Sequence, residues 1–241
     1  MIINAVIVED SRLARNELKE LIKDFSNINL IGEAQDADEG ILLIKNTKPD
    51  LLFLDINMPE KDGFQMLEEL DEVPMVIFTT AYNEYAVKSF EYNALDYLMK
   101  PINKKRFKSA VDKVSKKIAS RTISELQTQK LSENSQIFIK EGEDCWLVKL
   151  YEITLFEIVG NYTRVYFQNN KPLLYKSLNQ IEEKLPNTYF FRANRQQIIN
   201  TNHIVNITPW FNGKLKLEMK QGINVEISRR QSQNFKKLLS I

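Results

Sequence analysis

Glu9 and Asp10, Asp55, Thr79 and Thr80, and Lys100 each stand at the end of a short aliphatic run in this chain of 241 residues. Three carboxylates drawn into one crevice would repel one another unless a cation lay among them. Oxygen ligands favour a hard ion such as Mg2+, which bridges readily to a phosphate. A hydroxyl and an ammonium opposite that ion would bind phosphoryl oxygens, a set that suits formation of a covalent aspartyl phosphate. Each residue alone has an ordinary reading, as a helix cap, a solvated loop side chain or a surface lysine. Their joint occurrence at successive run ends is what points to chemistry.

Those residues can meet only if the runs are neighbouring parallel strands. Apolar runs at residues 3–8, 30–34, 51–54, 75–79 and 97–99 alternate with amphipathic segments, the rhythm of repeated βα units. Nearly continuous aliphatic runs imply strands covered on both faces. Ala14, Leu18, Leu21, Ile22 and Phe25 form one helical face, and Ile41, Leu42 and Ile44 begin another. The expected fold of residues 1–118 is an α/β doubly wound five-stranded parallel sheet, closed by an amphipathic helix from Lys104 to about Ile118. Ligands of such a sheet collect at the carboxyl ends of its strands.

Residues 119–135 read as a linker, and from residue 136 the hydrophobic period becomes two. A hairpin turning at residues 141–144 opens a mostly-β second domain, 136–241, with further turns at Gly160-Asn161, Asn169-Asn170, Asn212-Gly213 and Gln221-Gly222. Two short helices are expected, at residues 177–185 and 228 to about 239, each opening Ser-x-x-Gln, the capping-box signature.

The net charge of +1 conceals a division. Residues 1–102 carry 9 basic and 20 acidic side chains, residues 103–120 carry 7 and 1, and residues 135–241 carry 15 and 9. An acidic front, a basic helix and a basic last module suggest different partners. Seven Gly and seven Pro exclude a collagen-like or low-complexity chain. The absence of a long uncharged apolar window, and an N-terminus that enters a strand-like run directly, predict a cytoplasmic protein with no membrane segment. Cys145 and His203, the chain's single cysteine and histidine, make neither an internal disulfide nor a Cys/His zinc site and read as structural.

The strings VIVEDS around Asp10, LLFLDINMPEKDGF around Asp55, FTTAY around Thr80 and ALDYLMKP around Lys100 make residues 1–118 resemble a response-regulator receiver domain. The resemblance implies that Asp55 accepts a phosphoryl group from a sensor histidine kinase, with Mg2+ held by Glu9, Asp10, Asp55 and the backbone carbonyl of Asn57. It further implies that Lys100 pairs with the phosphate, that Thr80 turns its hydroxyl onto it, and that Tyr97 swings inward with Thr80. It also implies a Lys100-Pro101 bond that is usually cis, and homodimerisation through the fourth helix (Tyr85, Val87, Lys88 and residues 90–92), the fifth strand and the basic fifth helix. Asp96, Asp112 and Glu91 could pair with the cations of that helix across a twofold axis. An enzymatic rival, a metal-dependent phosphatase or mutase, needs a second Asp two positions after the nucleophile. That position is Asn57, so a non-enzyme is expected.

For the basic module, charge alone leaves open a nucleic-acid binder, a protein-docking domain or a plain β domain. Arg229 and Arg230 in the first turn of the last helix oppose its macrodipole, and an anionic partner would relieve that conflict. Arg192, Asn194, Arg195, Gln196 and Gln197 form a second polar cluster, and Arg and Asn are the side chains that read guanine and adenine edges. Tyr162, Tyr166, Phe167, Phe190, Phe191, Trp210 and Phe211 could instead stack the bases of RNA, although strand spacing makes most of them core. The strings LFEIVGNYTRVYF, SLNQIEEKL, FFRANRQQIINTNHIVNI, FNGKLKLEM and VEISRRQSQNFKKLL resemble the LytTR DNA-binding domain of the LytR/AlgR class. This implies an elongated β fold whose loops enter successive major grooves of double-stranded DNA at repeated sites. Base contacts would come from Asn161, Thr163, Arg195 and Arg230, and phosphate contacts from Arg164, Lys176, Asn194, Gln197, Ser228 and Arg229. The expectation is a phosphorylation-dependent transcriptional response regulator.

Overall fold

A computed structural model describes residues 2–81, 96–119, 131–132, 134–142 and 144–239. Packing divides the chain into two compact units.

In the first unit, strands β1 (Ile3–Val8), β2 (Ile28–Ala34), β3 (Leu51–Asp55), β4 (Met75–Thr80) and β5 (Asp96–Met99) form one parallel sheet in the order β2-β1-β3-β4-β5. Every residue of β3 and β4 is buried, as continuous aliphatic runs require of strands covered on both faces. The helices are α1 (Arg12–Lys23), α2 (Ala37–Thr47), α3 (Gly63–Glu68) and α4 (Lys104–Ala119). The last of these is the basic fifth helix of the expected pattern; the expected fourth, with Tyr85 to Tyr92, lies outside the described residues. Ser11, Asp36 and Asp62 start α1, α2 and α3 by accepting hydrogen bonds from the backbone N–H three residues on. Leu18 and Ile22 of α1 pack with Phe107, Val111 and Val114 of α4 on one side of the sheet. On the other side lie Ile41 and Ile44 of α2 with Phe64 and Leu67 of α3. Leu42, expected on that buried face, is 64% exposed, because it sits one residue off the 41/44 stripe and points away from the sheet.

The hairpin β6 (Gln136–Glu141) and β7 (Asp144–Lys149) turns at Gly142, whose φ of +63° suits glycine. Sequence period places its start with the second domain, whereas packing places Gln136–Leu147 with the first unit. The reason is apolar: Phe138, Cys145 and Leu147 are buried among Phe64, Leu67, Leu70 and Val73.

In the second unit, β8 (Ile153–Val159), β9 (Tyr162–Phe167), β10 (Leu173–Leu174), β11 (Phe190–Arg192) and β12 (Gln197–Asn200) form an antiparallel sheet ordered β10-β9-β8-β12-β11. A second antiparallel sheet holds β13 (Ile204–Pro209), β14 (Leu215–Met219) and β15 (Asn224–Ile227). The helices α5 (Leu178–Lys184) and α6 (Arg229–Leu238) match the two expected. Ser177 and Gln180 make the reciprocal capping box, while Ser228 caps α6 from its side chain. Leu155, Ile199, Leu217, Val225 and Ile227 of the two sheets close over Phe235 of α6. Among the described residues no helix is long and apolar enough to cross a membrane.

Candidate functional site

The strand ends of the sheet bring the expected acceptor residues together. Glu9 and Asp10 follow β1, Asp55 closes β3, Thr80 closes β4 and Lys100 follows β5. Backbone bonds fix their relative heights: Ile56 N–H donates to the Thr79 carbonyl (3.2 Å) and Lys100 N–H to the Thr80 carbonyl (2.9 Å). Lys100 Nζ lies 2.8 Å from Asp55 Oδ2 and 2.6 Å from Glu9 Oε2. The contact with Asp55 is a hydrogen bond. The contact with Glu9 Oε2 is an ion pair. Burial tends to lower the Lys100 pKa, but its bonds to Asp55 and Glu9 override this and hold the ammonium above its ordinary range. Glu9 is fully buried, and that burial, with the Asp55 charge adding to it and Lys100 opposing it, raises its carboxyl to about 7.

One ligand oxygen from each of Glu9, Asp10 and Asp55 lies within 4.8 Å of the others. A tight all-oxygen trio of carboxylates fits Mg2+, whose charge would favour the ionised form of Glu9. Asn57 follows in the same loop, its N–H donating to Asp55 Oδ1 at 3.2 Å. Gly63 N–H donates to the Ile56 carbonyl at 2.8 Å, and a Cβ at that position would meet the Asp55 carbonyl oxygen at 2.4 Å. Thr80 is fully buried, and Tyr97 lies inward at 7% exposure in the apolar cluster that holds Phe78. The Lys100-Pro101 bond is cis. Asp96 is engaged within its own chain: Arg106 grips it through both terminal guanidinium nitrogens, and Lys113 Nζ lies 3.0 Å away. Burial alone would raise the Asp96 pKa, yet these partners hold it below the usual range.

In the second unit, three segments meet at one end. The β8–β9 turn carries exposed Asn161 beside Gly160, whose φ is +61°. Ile158 N–H donates to the Gln196 carbonyl (2.9 Å), placing this turn beside the β11–β12 turn that carries exposed Arg195. Ser228 N–H in turn donates to the Ala193 carbonyl (3.0 Å), bringing exposed Arg229 and Arg230 of α6 to the same place. Arg192 braces the Arg195 turn. Its Nε donates to the Asn194 carbonyl (2.8 Å), its Nη2 to the Arg195 carbonyl (2.7 Å) and its Nη1 to Glu182 (2.9 Å). Sequence marked Arg192 as part of a polar cluster; its bracing role depends on Glu182 and a turn geometry that spacing does not reveal.

Several expected contacts are redirected. Thr163 is fully buried and its hydroxyl donates to the Lys176 carbonyl at 2.7 Å, so it cannot reach a base. Strand alternation explains this, because Tyr162 and Arg164 point outward and Thr163 between them points in. Asn194, expected on phosphate, donates to Gln197 Oε1 and to the Glu226 carbonyl, both at 2.9 Å. Gln197 donates to Glu157 (2.8 Å), which also accepts from the Tyr166 hydroxyl (2.6 Å). The Ser228 hydroxyl accepts from Gln231 N–H (3.4 Å) as the cap of α6. These three shape the surface from behind, while Arg164 and Lys176 are half-buried at its margin. Tyr166, Phe167 and Phe190 are core as expected, whereas Tyr162, Trp210 and Phe211 are exposed. His203 sits in a short 3-10 turn, bonded to Thr154 and to the Tyr151 carbonyl, and Cys145 is buried.

Residues 5–112 match the response regulator receiver domain family and residues 143–240 match the LytTr DNA-binding domain family. The chain is 33% identical over 245 residues to the sensory transduction protein LytT of Bacillus cereus, covering 99% of this chain and 100% of that one. It is 31% identical over 242 residues to the transcriptional regulatory protein LytR of Staphylococcus aureus, covering 96% and 97%. Among solved structures it is similar to the response regulatory domain of protein mrkE from Klebsiella pneumoniae, at 32% identity and a TM-score of 0.45, covering 49% of this chain and 99% of that one. With relatives aligned along nearly their whole length and both modules matched, the chain belongs to the LytT/LytR family of two-component response regulators, transcription regulators that join a receiver to a LytTr DNA-binding domain.

Proposed function

We propose that Asp55 accepts a phosphoryl group from a sensor histidine kinase in the cytoplasm, and that the aspartyl phosphate governs binding of the LytTr module, matched over residues 143–240, to repeated sites on double-stranded DNA. The observation that carries this reading is Lys100 held between Asp55 and Glu9 at the strand ends. In the transfer, an Asp55 carboxylate oxygen bonds to phosphorus while the bond from phosphorus to the kinase imidazole breaks, the electron pair leaving with that ring. Mg2+ bound by Glu9, Asp10, Asp55 and the Asn57 carbonyl would offset the negative charge gathered there. Lys100 need only exchange a carboxylate partner for a phosphoryl oxygen, while Thr80 supplies a hydroxyl and Tyr97 occupies the space beneath. Dimerisation then proceeds through β5, α4 and the segment between β4 and β5. Since Asp96 is already paired internally, apolar contact must supply most of that association.

On DNA, Asn161, Arg195 and Arg230 reach base edges, and Arg164, Lys176 and Arg229 reach phosphates. Asn194, Gln197 and Ser228 hold those side chains in place. Two tests bear on the reading. Asp55→Asn should abolish incorporation of acid-labile phosphate from a small phosphoryl donor with Mg2+, and retained labelling would remove Asp55 from the role. Selection from random duplexes should enrich a repeated motif more strongly with the donor than without; preference for RNA over every duplex would overturn the DNA assignment.

A further inference from the structure

We propose that the β6–β7 hairpin is a strap on the receiver that answers to Asp55, docked on α3 while the carboxylate is free and loosened once it carries a phosphoryl group. The proposal rests on the phosphoacceptor reading above. The hairpin belongs to neither module alone. It begins in the gap between the two family matches, its second strand lies inside the DNA-binding match, and its residues Gln136–Leu147 pack with the receiver.

It grips both ends of the segment that runs from the start of α3 to the start of β4. At one end the Phe138 ring stacks on Phe64, the second residue of α3, with centroids 6.0 Å apart and planes 5° from parallel. At the other, Val73 N–H donates to the Gln136 carbonyl at 3.0 Å, and Gln136 Nε2 donates to the Pro74 carbonyl at 2.7 Å. Both ends lead straight to the acceptor. Upstream of Phe64, Gly63 lies against the Asp55 carbonyl with no room for a single added carbon. Downstream of Pro74, β4 runs to Thr79 and Thr80.

A phosphoryl group adds charge and bulk to the loop that Gly63 touches. Because packed interiors shift between discrete arrangements, a displaced α3 cannot keep Phe64 stacked on Phe138 unless the hairpin follows. Linkage makes the effect reciprocal, so docking and phosphorylation bias each other by one factor. Loosening would release residues 136–147 into the segment that joins the receiver to the DNA-binding module.

Cys145, the sole cysteine, is 2% exposed in the cluster that holds Phe138 and reports on docking without an introduced residue. The experiment measures its rate of reaction with a thiol reagent in the full chain, with and without acetyl phosphate and Mg2+, while acid-labile phosphate is counted in the same samples. We expect the rate to rise about tenfold with phosphorylation, within the usual range of coupling between sites. Phe138→Ala should react rapidly in both states, still take up phosphate, and bind DNA equally well with or without donor. Gln136→Ala, which leaves the apolar core intact, should react faster than the unaltered protein when unphosphorylated. Full phosphate uptake with an unchanged Cys145 rate would overturn the strap, as would Phe138→Ala keeping the normal donor dependence of DNA affinity. No phosphate uptake by the unaltered chain would instead overturn the phosphoacceptor assignment, and the strap with it.

Discussion

Lys100 is the residue around which the proposed acceptor site is organised, because one ammonium opposes two carboxylates that would otherwise repel each other at the strand ends. A second residue offers a cleaner titration. His203 Nε2 donates to the Tyr151 carbonyl (2.8 Å) and Nδ1 accepts from the Thr154 hydroxyl (3.0 Å), an arrangement that fits the neutral ring. Burial, with Lys220 adding to it and the Tyr151 carbonyl opposing it, lowers its pKa from the ordinary 6.5. A depressed folded pKa contributes stability that is present above the unfolded value and is lost as pH falls through the folded one. The second unit should therefore lose stability on acidification below about 6.5, and His203→Gln should flatten that slope. As the chain has one histidine, a single pair of ring resonances measures the shift directly, and a midpoint at or above the ordinary value would refute it.

At this scale the acceptor residues were legible because each ends an aliphatic run. Thr163 is the exception, since the resemblance carries over a position without its facing. The alternation of β9 would have turned it inward. The internal bonds of Asn194 and Gln197 were illegible for another reason, since Glu157 and Glu226 are remote in sequence and adjacent only after the sheets form.

Elements were legible wherever a period persisted. The receiver strands and α1 followed from runs and stripes, and Asp62 with Gln65 gives α3 a complete capping box that six residues need in order to be a helix at all. β11 and β12 were harder to see, because the polar stretch from Arg192 to Gln197 interrupts them and masks a pair that aligns Phe190 with Asn200 and Arg192 with Ile198. The β6–β7 hairpin is legible as a hairpin, but period does not say against which core a strand lies, and its apolar face packs on the receiver. Gly63 is the element-level vulnerability. Gly63→Ala should cost about 1–3 kcal/mol, since its new methyl meets backbone rather than a movable side chain. Urea unfolding of the receiver would measure the loss, and phosphate uptake should slow with it; unchanged values of both would show that the β3–α3 loop can yield.

For the whole molecule, the near-zero net charge sums an acidic front that holds Glu9, Asp10 and Asp55, a basic helix partly neutralised by Asp96, and a basic last module in which Arg229 and Arg230 are exposed. Duplex binding should weaken steeply with salt, and Arg229→Ala should reduce the salt slope by about one. Arg230→Ala should lose sequence preference as well as affinity, about 1–3 kcal/mol against the preferred site. Arg192→Ala should differ from both, lowering thermal stability together with affinity while leaving the salt slope nearly unchanged, and Arg192→Lys should not rescue it because one ammonium cannot replace the guanidinium fork. Binding titrations at several salt concentrations separate the three outcomes.

The meeting of two turns and the start of α6 at one end of the second unit also bears on how such a protein can change its targets. Asn161, Arg195 and Arg230 stand on different segments, each fastened from behind by backbone bonds or by side chains that face inward. A reader built on one helix must keep neighbouring base contacts in a fixed register, since they share a rigid rod. Here each tip can be exchanged with little consequence for the others, so libraries randomised at these three positions should yield folded proteins with new site preferences at high frequency. The braces Arg192, Asn194 and Gln197 are the positions to leave alone.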